Sequence, residues 1–149
     1  ASIRDNIYMP SLQEIEGKGF FISPSKCTAL AEEARQKLNI KCTNVKQIVS
    51  ALSGGNKQKV NLGRWLVKDL DILVLDCPTR GVDVGVKAYI YQLMKEMKQK
   101  GLSMILISDE LTEVLGMSDR IAVMKEGKLV TVMKRSEHPT ESKVVEVMI

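Results

Sequence analysis

Histidine is almost missing from this 149-residue chain (His138 is the only one), cysteine occurs three times and aromatic residues make up 4%. Cys27, Cys42 and Cys77 form no CxxC pair and have no companion histidine. Neither a disulfide framework nor a zinc site is therefore expected, and a reducing, cytoplasmic setting fits this usage. Long hydrophobic runs are lacking as well: none approaches the roughly 18 apolar residues of a spanning helix. The start shows no charged stretch followed by an apolar one, so no secretory leader is read there. Nor does one sign of charge dominate. Lys and Arg number 22 against 18 Asp and Glu, leaving +4, and with so few aromatics this gives no ground for a nucleic-acid interface. What is present, 44% hydrophobic and 27% charged residues, excludes a collagen-like, low-complexity or disordered chain. The length is one domain's worth, enough for a sizeable core. The chain opens on Ala1 and not on methionine, and a piece of something longer is expected.

Two textures follow one another. Up to about residue 50 the pattern is mixed, with turn-like clusters at Glu16-Gly17-Lys18-Gly19 and Ser23-Pro24-Ser25. A helix is predicted over Lys26 to Leu38, where Leu30, Ala34 and Leu38 recur at helical spacing, with Ser25 as its N-cap. A short helix is predicted over Asn44 to Val49. Beyond residue 56, helices alternate with apolar strands. Gln58 to Val67 reads as a helix, and Ile72-Leu73-Val74-Leu75 as a strand buried on both faces of a parallel sheet. Val86 to Gln99 carries an apolar stripe and is followed by Gly101, as expected of a helix and its C-terminal stop. Met104 to Ile107 gives a second buried strand, and Leu111 to Leu115 a short helix. Ile121 to Met124 and Leu129 to Val132 flank Glu126-Gly127, a hairpin signal. Pro139 opens a last helix through Val147, whose Val144, Val145 and Met148 read as packing. His138 reads as an exposed loop residue. The alternation of strand and helix is that of an α/β layered sheet.

The sharpest chemical feature is Leu52-Ser53-Gly54-Gly55-Asn56-Lys57-Gln58, set directly before a helix. Two glycines let backbone approach a ligand, and the helix behind aims free N–H groups and its positive dipole end forward. Ser53 adds a hydroxyl donor, and the assembly suits the terminal phosphate of a nucleotide. Alone, the tripeptide reads as an ordinary turn capping a helix. Further on, the apolar strand ends in Asp76-Cys77-Pro78-Thr79, which puts an acid at the carboxyl end of a parallel strand, where α/β sheets bind ligands. Alone, Asp76 reads as a turn cap. Together, with Gly81-Val82-Asp83 just behind, the two features favour a ligand site.

LSGGNKQ, ILVLDCPTRGVDVG, ILISDELTEVLGMSDRI and VMKEGKL, in this order, resemble the C-terminal portion of an ATP-binding cassette (ABC) transporter ATPase. LSGGN, PTRGVDVG and ISDELTEVLGMSDR point more narrowly to the second cassette of double-cassette sugar importers of the ribose, galactose and xylose type. The likeness covers nearly the whole chain, including the opening SIRDNI. It implies that Ser53, Gly54, Gly55 and Asn56 are the nucleotide-contacting signature, and that Arg80 to Asp83 form the D-loop, with Asp83 at the nucleotide. It also implies that Asp76 is the Walker B acid that helps hold Mg²⁺. The implied fold is α/β, a partial RecA-like P-loop ATPase core without its Walker A half, joined to an α-helical subdomain. Residues 1–68 would be that subdomain, 69–133 the C-terminal half of the core and 134–149 a tail. Implied partners are a second ATP-binding cassette and transmembrane permease subunits, the place is the inner face of the cell membrane, and the cofactors are ATP and Mg²⁺.

Three departures bear on activity. No GxxxxGK[ST] cradle occurs, so this chain alone is expected to hold ATP weakly and to be inactive. Lys57 and Lys59 read as solvated helix residues. The general-base position after Asp76 is Cys77, and a thiol with a pKa of about 8.5 is a poor base for water at neutral pH. A buried residue tolerated in a degenerate site is favoured over a redox switch there. The position of the family's switch histidine is Asp109, whose carboxylate repels phosphate unless a cation intervenes. The signature would then serve a site whose base and P-loop come from the partner cassette. Removal of the Walker A half exposes strand edges and predicts pairing with a second copy. One alternative is a nucleotide-free interaction or regulatory module with a degenerate cassette shape. Another is a DNA-repair or chromosome-organising ATPase, against which stand the missing heptads and the mild charge.

Overall fold

The computed structural model describes residues 1–12, 22–68 and 70–149. The turn expected at Glu16 to Gly19 lies outside them. Contacts divide the chain into two compact units, Ala1–Leu73 with Thr79–Ser103, and Val74–Pro78 with Met104–Ile149.

The first unit is built mainly of helices. Helix α1, Ile3–Tyr8, starts at a reciprocal cap: the Asp5 N–H donates to Ser2 Oγ at 3.1 Å, and the Ser2 N–H donates to Asp5 Oδ2 at 3.0 Å. A 3-10 turn, Met9–Ser11, follows it. Helix α2, Pro24–Lys37, begins two residues before the expected start because Pro24 occupies its first position, where a missing N–H costs nothing. Ser23, not Ser25, stands at the N-cap. No α-helix forms over residues 44–49, and only a 3-10 turn, Val49–Ala51, opens at their end. That stretch pairs with the chain start instead, the Ile3 N–H reaching the Gln47 carbonyl at 2.9 Å and the Arg4 N–H the Val45 carbonyl at 2.8 Å. Helix α3, Gly54–Leu66, carries Val60 and Leu62 inward, and helix α4, Val84–Gln99, carries Ile90, Met94 and Met97. Ile3 and Ile7 of α1, Ala31 and Ala34 of α2, Leu38 and Val60 form one buried cluster. Apolar burial of this kind contributes roughly 25 cal/mol per Å² and holds the helices together.

The cap on α1 makes a pH prediction. Hydrogen bonds from Ser2, side chain first and backbone second, hold the Asp5 carboxyl below its usual range. A carboxyl whose pKa is depressed on folding gives stability that is present above its unfolded pKa and lost as pH falls through the folded value. Thermal melts are therefore expected to fall in acid below the ordinary carboxylate range, and Asp5→Asn should flatten that fall. Identical acid limbs for both proteins would refute it.

Strand β1, Ile72–Asp76, leads through α4 to strand β2, Ser103–Ile107. The Ser103 N–H bonds the Asp71 carbonyl at 3.1 Å and the Cys77 N–H bonds the Ile107 carbonyl at 2.9 Å. Both partners advance together along the chain, so the pair is parallel. In the second unit, helix α5, Leu111–Met117, precedes a hairpin of β3, Arg120–Lys125, and β4, Lys128–Lys134. Glu126 and Gly127 both have positive φ, 51° and 75°, as a two-residue hairpin turn requires. The last helix, α6, Glu141–Met148, starts from Thr140, whose hydroxyl accepts from the Lys143 N–H, and not from Pro139. Val144 joins Ile121, Val123 and Met133 in a small core.

β1 and β2 are not buried on both faces. Leu75 is 5% exposed, whereas Val74, Ile105 and Ile107 are 57%, 54% and 50% exposed. One face carries no covering layer among the described residues. Among those residues, too, no helix is long and apolar enough to cross a membrane.

Candidate functional site

The Ser53-Gly54-Gly55-Asn56 segment is the start of α3 itself: the helix begins at Gly54, four residues ahead of the expected Gln58. Ser53 is its N-cap in extended backbone, φ −62° and ψ 158°, and its side chain makes no capping bond. The first helical closure is the Lys57 N–H on the Ser53 carbonyl at 2.9 Å. The amides of Gly54, Gly55 and Asn56 precede that closure, and no acceptor among the described residues takes them. Such a turn presents N–H groups and partial positive charge outward. Ser53 and Gly54 are exposed and Asn56 is half-buried, whereas Gly55 is buried against α4.

The two glycines differ. A Cβ on Gly54 would meet only the Gly81 carbonyl oxygen, at 3.8 Å. One on Gly55 would lie 2.5 Å from Val86 Cγ2 and 3.4 Å from Val86 Cβ. Gly55 is thus required by the close approach of α3 to the first turn of α4, and Gly54 by nothing among the described residues. Asp83 caps α4, its Oδ1 accepting from the Val86 N–H at 2.9 Å. That oxygen is engaged in its own helix, a structural duty the sequence reading did not foresee.

In the second unit Asp76 ends β1 with its side chain exposed. Cys77 follows with φ 45°, and its Sγ stands 3.9 Å from Asp109 Oδ1. Cys77 and Asp109, the residues expected at the general-base and switch positions, are thus neighbours, a thiol facing a carboxylate. Among the described residues no three His, Cys, Asp or Glu side chains converge on a metal position. Asp76 offers one carboxylate, which suits a hard cation whose other ligands are phosphate oxygens and water. Beside these, Ser108 donates to Glu113, a buried carboxylate that the sequence reading passed over.

Lys59 departs from the solvated role expected of it. Its Nζ lies 4.2 Å from the centre of the Tyr89 ring and donates to the Asn39 carbonyl at 3.0 Å. Burial first, and the Lys41 charge second, pull its pKa below the usual lysine range. Asn56 is also engaged inside the chain. Its Nδ2 donates to Ser53 Oγ at 2.9 Å and its Oδ1 accepts from the Lys41 N–H at 2.9 Å. The available signal was the S-x-x-N spacing, which places the two side chains at the N-cap and third helical positions.

A family model described as ABC transporter matches residues 1–80. The chain is 47% identical over 144 residues to a putative ribose/galactose/methyl galactoside import ATP-binding protein 2 of Rhizobium meliloti, covering 97% of this chain. It is 45% identical over 141 residues to a ribose import ATP-binding protein of Lactococcus lactis, covering 95%. It spans 28% of the length of each. Its fold is similar to a dimeric ATP-binding cassette in a post-hydrolysis state bound to ADP and phosphate, with TM-score 0.75 and 21% identity. That likeness covers 90% of this chain and 56% of the other. A nucleotide-free cassette gives TM-score 0.79 at 23% identity, covering 100% of this chain and 63% of that one. These likenesses establish the fold alone, a partial RecA-like α/β cassette core with helices.

Proposed function

Because the chain belongs to the ABC transporter family, we propose that its α3 signature turn completes a nucleotide site whose phosphate cradle is supplied by a partner cassette. The observation that carries this is the start of α3: the amides of Gly54, Gly55 and Asn56 and the Ser53 hydroxyl proton find no acceptor among the described residues, and Ser53 and Gly54 are exposed. A terminal phosphate meeting that turn would take hydrogen bonds from Ser53, Gly54 and Gly55 and the favourable end of the helix dipole. The printed names of the 47% and 45% identical relatives support the finer reading, a fragment of the ATP-binding subunit of a ribose- or galactose-type importer. Such a subunit would sit against permease subunits at the cytoplasmic face of a membrane. Residues 1–68 would be its helical subdomain, 69–133 its core half and 134–149 its tail.

ATP and Mg²⁺ enter through the partner. Asp76 would hold a magnesium ion at this chain's own strand end, and the ion would offset charge developing on the phosphates. This chain's residues contribute little more there. Cys77 is no base for water, and Asp109 sets a negative charge where a phosphate contact is needed. Cys77→Ala in the complete subunit is accordingly expected to change ATP turnover by less than about twofold, the thiol having no proton-transfer role. A loss of about 100-fold, the usual effect of removing a general base, would refute this.

A second reading, a nucleotide-free interaction module, rests on Cys77 and Asp109, which leave this chain's own strand end without a base for water or a neutral phosphate contact. Sedimentation with an intact P-loop cassette separates the two. The signature reading predicts association only with ATP and Mg²⁺ present, the module reading association without nucleotide. The uncovered face at Val74, Ile105 and Ile107 supports pairing with a second copy, which the same runs on the chain alone would report.

A further inference from the structure

We propose that Asn56 is a positioning residue that sets the direction of the Ser53 hydroxyl, so that its proton is available to an incoming anion. This rests on the signature reading above. The side-chain amide has two ends, and the geometry assigns both. A backbone N–H can only donate, so the oxygen of Asn56 must face the Lys41 N–H, 2.9 Å away. The nitrogen must then face Ser53 Oγ, also at 2.9 Å, and it can only donate there. With one lone pair of Ser53 occupied by that donor, its O–H is left to point elsewhere, and no acceptor among the described residues takes it. A serine that would otherwise rotate freely is thereby held as a donor.

The anchor for this brace is firm. Lys41 lies on the segment following α2, and that segment and the end of α2 are tied to α3 and α4 at two further points. Lys59 Nζ donates to the Asn39 carbonyl at 3.0 Å, and the Tyr89 hydroxyl donates to the Lys37 carbonyl at 3.2 Å. Tyr89 also lies under the Lys59 ammonium at 4.2 Å. Asn39 itself adopts the left-handed region, φ 46°, where asparagine is tolerated better than most residues. Asn56 therefore couples the serine to a fixed piece of backbone and not to a mobile side chain.

The test is a double-mutant cycle in the complete ATP-binding subunit. N56D keeps the acceptor for Lys41 and replaces the donor facing Ser53 by an acceptor, which turns the serine proton inward. N56D and S53A are each expected to lower kcat by about tenfold or more, as loss of one aimed donor does. KM for ATP should stay within about twofold and the melting temperature should not move. S53A/N56D should be no slower than S53A alone, because the brace acts only through the serine. Additive losses in the double variant would mean that N56D acts by its charge, and would overturn the proposal. Full activity of N56D beside a slow S53A would overturn the brace and leave the signature reading standing. An S53A subunit as active as the parent would remove both. Independently of turnover, S53A in the 149-residue chain should shift the Asn56 side-chain amide resonance, and an unmoved resonance would contradict the contact.

Discussion

Gly54→Val is expected to leave the thermal melt of the chain within about 2 °C of the parent, the range of a substitution worth a few tenths of a kcal/mol. In the complete subunit the same change should reduce ATP turnover by about 10³-fold or more, the scale of losing aligned donors from a charged transition state. The two halves of this result have separate causes. Among the described residues a Cβ at position 54 meets only the Gly81 carbonyl oxygen, at ordinary contact distance, 3.8 Å. Gly54 has no positive φ, so a branched side chain strains no backbone there. The same isopropyl group, however, stands at the start of α3 beside amides that have no acceptor among the described residues, in the space a phosphate would need. Stability kept and turnover lost would mean that the glycine serves a group from outside the chain. A valine variant that hydrolyses ATP at the parent's rate would mean that nothing approaches this turn closely.

Gly55→Ala carries the opposite signature. Its new methyl would sit 2.5 Å from Val86 Cγ2, 3.3 Å from Cγ1 and 3.4 Å from Cβ. Rotating Val86 moves the two methyls but not Cβ, and a β-branched side chain in a helix has little rotamer freedom to use. The contact must be relieved by separating α3 from α4. Overpacking of this kind costs about 1–3 kcal/mol, which outweighs the up to about 1 kcal/mol that alanine gains over glycine in a helix. Equilibrium unfolding in urea should show the loss, and Val86→Ala in the same chain should recover part of it. If G55A proved more stable than the parent, the tight packing behind the signature turn would be wrong, and with it the explanation of why two adjacent glycines are needed for different reasons.

Much of this was legible in the residues. The alternation of helix and strand and the hairpin at Glu126-Gly127 follow from local chemistry and stand in the fold, and the Ser53-Gly54-Gly55 turn expected before a helix is that helix's own first turn. The failures have physical reasons. Ile72 to Leu75 reads as a strand buried on both faces because all four side chains are apolar, but composition does not report how many layers flank a sheet. Val74 lies on a face with no cover among the described residues. The stretch 44–49 looked helical by itself, and its pairing with Ile3 and Arg4 is a long-range choice that no local window contains. Two glycines at the start of α3 masked its true beginning, since their poor helix propensity matters least in a first turn whose amides have no helical partner. Within the site, the roles of Asp83 and Asn56 were read from motif position alone. Position marks which residues gather near a ligand, whereas hydrogen-bond partners decide which of them are engaged inside the chain. Asp83 caps α4 and Asn56 braces Ser53, duties that only coordinates reveal.

The account stands on the acceptor-free amides of the α3 turn, and isotope-edited NMR of the chain observes them one by one. Adding an intact P-loop cassette loaded with ATP and Mg²⁺ should move the backbone amide resonances of Gly54 and Gly55, whereas ATP and Mg²⁺ alone should leave them in place. Resonances that ignore the loaded cassette, or that answer to free nucleotide as strongly, would contradict it.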